Sequence, residues 1–184
     1  MSIELIVVLI IYNTMIAKKF HKISYGAVLV ALGVGLGYAL AWIPNVELVS
    51  FTAVLSGFLL GTGYGIFIGA LIFLLYSFLS PFGMAPLPLF IAQGIGGAVF
   101  GFAGAILKNR LKNPLYAAAA AIVGTLFFDL ITNSAGFFTF PSQSTFIAYI
   151  SGGIIFGVVH ILANAVIFAV LFPMMIKIFR LQKI

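Results

Sequence analysis

Apolar residues run along nearly the whole chain in long blocks, separated by five short breaks rich in glycine, proline or charge. The breaks are Ile43-Pro44-Asn45-Val46-Glu47, Gly61-Thr62-Gly63-Tyr64-Gly65, Ser80 through Pro88, Lys108 through Pro114, and Asn133 through Ser144. A helix that crosses a hydrocarbon core of about 30 Å needs about 20 predominantly apolar residues. On that measure the pattern predicts six helices, at about 23–43, 47–61, 64–80, 87–107, 114–134 and 145–176. Residues 3–17 are apolar too, but a helix of that length extends only about 22 Å. They are expected to span a thinned bilayer or to lie along its interface. The expected fold is an all-α integral membrane protein. Residues 1–22 form an N-terminal hydrophobic segment with a basic linker, and 23–184 a six-helix membrane domain.

Composition supports the same reading. The 184 residues are 64% hydrophobic and 7% charged, far from the roughly one quarter charged that a soluble domain carries. Lipid as solvent allows the outside of a fold to be as apolar as its inside. No length remains for a soluble domain, so nucleotide chemistry would need a partner chain. Cysteine is absent, which excludes disulfides and thiolate metal sites.

The net charge of +6 sorts by position rather than marking a nucleic-acid binder. Lys18, Lys19 and Lys22 precede the first predicted span, Lys108, Arg110 and Lys112 follow the fourth, and Lys177, Arg180 and Lys183 follow the sixth. Six spans put all three clusters on one side, and the positive-inside rule makes that side cytoplasmic. A multi-pass protein of the plasma membrane is expected.

Small residues recur every fourth position in Ala27, Ala31 and Gly35, in Gly33 and Gly37, in Gly97 and Gly101, and in Gly153 and Gly157. Each set lies on one helical face, where helices approach closely, inside the bundle or against a partner. Polar residues in the spans are costly and point to function. Asp129 and Asn133 share one face of the fifth helix, and His160 and Asn164 one face of the sixth. Gln93 lies inside the outer end of the fourth helix, and Glu47 opens the second beside Trp42, Pro44 and Asn45. These groups converge on the outer half, where Phe82 and other loop aromatics are placed to close over them. Asp129 needs a partner within the bilayer, and His160 is the candidate. The candidate binding set is therefore Trp42, Asn45, Glu47, Phe82, Gln93, Asp129, Asn133, His160 and Asn164. Polar groups confined to one half suit a receptor better than a channel, which is lined along its length.

Enzymatic motifs are missing. No HExxH, P-loop or GxSxG occurs, two histidines cannot build a metal centre, and Ser151 lies about 13 Å from His160 by helical rise. A non-enzymatic protein without a cofactor is expected. An ion- or proton-coupled secondary transporter, with Asp129 and His160 as proton site, is the alternative.

The order of features resembles the substrate-binding S component of energy-coupling-factor (ECF) vitamin transporters. The resemblance covers roughly residues 23–176. It rests on Ala27-Val28-Leu29-Val30-Ala31, then Ile43 through Phe51 with Pro-Asn-Val-Glu. The Gly61–Gly65 turn into Gly69-Ala70, Ser80-Pro81-Phe82-Gly83, and Gln93 followed by Gly94 and Gly97 complete it. The resemblance implies a vitamin or precursor bound at the outer face, the nearest members being linked to cobalamin or its precursors. It also implies assembly with a transmembrane coupling protein and two ATPase subunits. In that family a small-residue face on the first helix docks the coupling protein, which falls here on Ala27, Ala31 and, on the same stripe, Gly35. Residues 1–22 depart from the family pattern.

Overall fold

A computed structural model describes residues 3–140 and 145–181. Lys183 and the Pro141–Ser144 part of the fifth break lie outside the described residues. Among these, the chain is all helix and turn, without a strand: α1 Ile3–Ala39, α2 Val49–Leu60, α3 Thr62–Phe78, α4 Leu87–Ile106, α5 Pro114–Thr139, α6 Phe146–Gly152 and α7 Ile154–Leu181.

Helix ends follow local chemistry. α1 stops short of the expected residue 43, because the residue before a proline avoids the helical region. The chain leaves it through tight turns, Ala41 N–H to Tyr38 O and Ile43 N–H to Leu40 O. Asn45 then takes a left-handed conformation, φ 59°, which asparagine tolerates better than most residues. Asn113 caps α5 by accepting the Leu115 N–H at 2.9 Å, with Pro114 in the first turn, where its missing N–H costs nothing. α5 runs five residues past its expected end, through Gly136 and the phenylalanines. Nothing before Pro141 lacks an N–H, and one helical glycine costs only about 1 kcal/mol. The expected helix over 145–176 is broken at Gly153 into α6 and α7, and α1 continues without a break from the N-terminal hydrophobic segment into the first expected span.

α2 is the axis of the bundle. Every residue from Val49 to Leu60 except Leu59 is buried, and α1, α3, α4 and α7 all pack against it. Its hydroxyls are spent locally, Thr52 Oγ1 on Leu48 O and Ser56 Oγ on Ala53 O, both at 2.7 Å. α4 closes on α2 and α3 through glycine. A Cβ on Gly57 would overlap Gly101 O, one on Gly101 would overlap Gly65 O, and one on Gly104 would overlap Val54 O. Gly69 and Gly97 oppose one another in the same way. These are backbone-to-backbone contacts, which only glycine permits.

Four helices are long and apolar enough to cross a membrane, over 19–39, 87–106, 114–139 and 154–178, while α2 and α3 have 12 and 17 residues. The α7 sequence shows the two solvents it meets. Ile155, Leu162, Val166, Val170 and Met174 are exposed, whereas His160, Asn164, Phe168, Phe172 and Ile176, spaced by four, are buried. Exposed apolar surface on this scale matches hydrocarbon rather than water. The bundle is open on one side: α1 and α7 both lean on α2 but do not touch each other. Between them lies an apolar groove of about 650 Å³ whose rim carries Lys108, Asn109 and Lys112.

The glycine contacts make a direct prediction. Gly101→Ala overpacks a backbone crossing and should cost about 1–3 kcal/mol, read as a lower thermal midpoint in detergent. Gly35→Ala, where a Cβ meets nothing within 4 Å, should hold the midpoint or raise it slightly, since a helical glycine costs about 1 kcal/mol.

Candidate functional site

The two ends of the bundle differ chemically. Lys22 stacks over Tyr64 at the start of α3, and Lys108 over Phe58 near the end of α2, so these basic residues gather at the α2–α3 turn. At the opposite end stand Glu47 and Asp129, which with Glu4 are all the acids of the chain.

Glu47 precedes α2, and its Oε2 accepts the Ser50 N–H at 2.8 Å. This satisfies one of the donors that a helix start leaves free. Its Oε1 accepts from Asn164 Nδ2 at 3.1 Å and lies 3.5 Å from His160 Nε2. On the other ring edge, His160 Nδ1 is 2.8 Å from Asp129 Oδ1. Asn164 Nδ2 also donates to Thr125 Oγ1 at 3.0 Å. The result is a continuous polar chain, Asp129–His160–Glu47–Asn164–Thr125, joining α5, α7 and the start of α2. Both ring nitrogens face carboxylate oxygens, and only an imidazolium has an N–H to offer each. Phe128 meets the His160 ring edge-on, with centroids 6.1 Å apart.

Beside this chain of contacts lies a cavity of about 210 Å³. Glu47, His160 and Gln93 supply its polar wall, and Phe73, Tyr76 and Phe128 its aromatic wall. The loop Ile43–Val46 covers one side, and Gly37 and Ala41 complete the α1 side. Tyr76 is fixed from α1: Tyr38 stacks on it at 4.9 Å and donates its hydroxyl to Tyr76 O at 2.6 Å.

Of the residues singled out in the sequence, Asn45, Glu47, Gln93 and His160 line this cavity. Asp129 and Asn164 reach it through His160 and Glu47. The other three stand apart. Asn133 Nδ2 donates to the Asp129 carbonyl of its own helix at 2.7 Å, while Trp42 and Phe82 are 86% and 78% exposed. Sequence reasoning passed over Thr125, although it lies four residues before Asp129 on the same face and spacing alone could have found it. Phe73, Tyr76 and Phe128 carry no signal that separates them from packing aromatics. Ala27, Ala31 and Gly35 face away from the bundle, whereas Gly26, Gly33 and Gly37 face into it. Comparison of the chain with protein-family models, with curated proteins and with solved structures finds no match in any of the three.

The triad is a mutual dependence that can be measured. His160→Leu leaves two buried carboxylates without their shared partner and should cost roughly 3–5 kcal/mol of stability, seen as a large drop in thermal midpoint. Adding Asp129→Asn removes one of the stranded charges and should recover part of that loss. Equal midpoints for the single and double variants would show that the two side chains are not coupled.

Proposed function

We propose that the chain is a membrane-embedded capture subunit for a small molecule, of the kind found as S components in ECF-type importers. It binds its ligand at the acid-bearing end of a six-span bundle. The observation that carries this reading is the cavity itself, where polar groups from separate elements meet at one end only. Pockets for drug-sized ligands run from about 300 to 1,000 Å³. A cavity of about 210 Å³ favours a ligand more compact than a corrinoid, with an aromatic or apolar body and a few hydrogen-bonding groups. The subunit is read as non-enzymatic.

In this reading α2 and α3 complete the span count, with the ordered loop before α2 extending that short helix to the membrane surface. The basic end faces the cytoplasm under the positive-inside rule. Because the chain has no cysteine, single introduced thiols report topology cleanly. Trp42→Cys should react with an impermeant maleimide from outside intact cells, and Lys112→Cys only after permeabilisation. The opposite pattern would invert the orientation.

The outward stripe Ala27, Ala31 and Gly35 is the docking face for a transmembrane coupling protein that works with two ATPase subunits. Ala31→Trp should abolish co-purification of those partners while the isolated chain keeps its ligand, as read by native mass spectrometry of the gently purified protein. Normal assembly of the Ala31→Trp variant would overturn the docking assignment. The His160 pair with Asp129 favours one alternative, a proton-coupled secondary transporter. Uptake driven by a proton gradient in vesicles holding this chain alone would establish it instead.

A further inference from the structure

Resting on the capture reading, we propose that the ligand is a compact organic cation, an amine- or amidine-type group on a small planar body. Three observations lead there. The first is a charge imbalance. Glu47 and His160 line the cavity and Asp129 joins them through His160, so the fully ionised triad keeps one net negative charge. No Lys or Arg lines the cavity to balance it. A buried charge without a partner is costly, and a cation entering beside Glu47 removes that cost.

The second is the character of the unused hydrogen-bonding capacity. Among the described residues, the buried side-chain atoms without a partner are Gln93 Oε1, Asp129 Oδ2, Asn164 Oδ1 and Ser50 Oγ. The first three are acceptors, and the fourth is a hydroxyl that can accept. Gln93 lines the cavity directly. The amide donors of Asn164 are already used on Glu47 and Thr125. Of these four residues Gln93 alone lines the cavity, so the unmet demand in and around its wall is on the acceptor side, which a protonated amine or amidine complements.

The third is the aromatic lining. Phe73, Tyr76 and Phe128 line the cavity, and aromatic faces attract a desolvated cation while repelling an anion. Carboxylate and aromatic lining thus favour the same charge. An anionic ligand would meet the same groups as repulsion.

The test is equilibrium dialysis of the detergent-purified full chain against three planar probes of matched shape: benzamidine (cationic), benzamide (neutral) and benzoate (anionic). Benzamidine should bind at least about tenfold tighter than benzamide, with benzoate weakest. Glu47→Gln should bring benzamidine down to the level of benzamide and leave benzamide binding unchanged, an outcome that simple loss of folding would not give. Gln93→Leu, which leaves the triad intact, should also weaken benzamidine selectively. Equal binding of cation and neutral probe, or tighter binding of benzoate, would overturn the cation assignment and leave the capture reading standing. Failure of all three probes to bind would overturn the capture reading itself.

Discussion

The charged contact at His160 is the constraint around which the rest of the bundle is arranged. A carboxylate within an apolar bundle is tolerable only when its charge is shared, and here one imidazole serves two. His160 belongs to α7, Asp129 to α5 and Glu47 to the approach to α2, so the contact fixes three elements at one end. Asn164 and Thr125 extend it one helical turn inward, after which the buried face of α7 becomes purely apolar at Phe168 and Phe172. The polar end specifies register, and the aromatic middle fills space. Phe168 meets Phe51 and Phe172 edge to face, with centroids 5.9 and 5.3 Å away, and Phe51 and Phe172 are tilted at 4.8 Å, arrangements aromatic quadrupoles favour over face-to-face stacking.

The second half of the fold is held by different means. α2, α3 and α4 meet through Gly57, Gly65, Gly97, Gly101 and Gly104 with no side chain between their backbones. In lipid the hydrophobic effect gives helices little reason to associate, so close van der Waals contact takes its place. The backbone crossings hold together the helices that bring Phe73 and Gln93 to the cavity, while the ionic staple positions Glu47 and His160 there.

Much of this could be read from the sequence, for identifiable reasons. Helix positions followed from hydropathy, and the Asp129–His160 pairing from the rule that a carboxylate in a span must find a partner. The Glu47 side chain was placed near the site by its position alone, but its contact with His160 depends on how the left-handed turn at Asn45 aims it, which spacing does not encode. Expected boundaries moved where local signals were weak. Gly153 interrupts the last helix, although glycine within a helix usually only weakens it, and α5 continues past Asn133 because no proline stops it until Pro141. The four-residue stripes were visible as stripes, yet only packing separates Gly33 and Gly37, which face α2 and α3, from Ala27, Ala31 and Gly35, which are exposed.

One wall of the cavity is held without charge. None of the triad residues belongs to α1, which contributes only Gly37 from within the helix and the loop residues after it. α1 rests on α2 and α3 through small residues and the Tyr38–Tyr76 contact. α1 is thus held over the cavity by dispersion forces and one phenol hydrogen bond, whereas Glu47, His160 and Asp129 hold the polar wall through opposite charges.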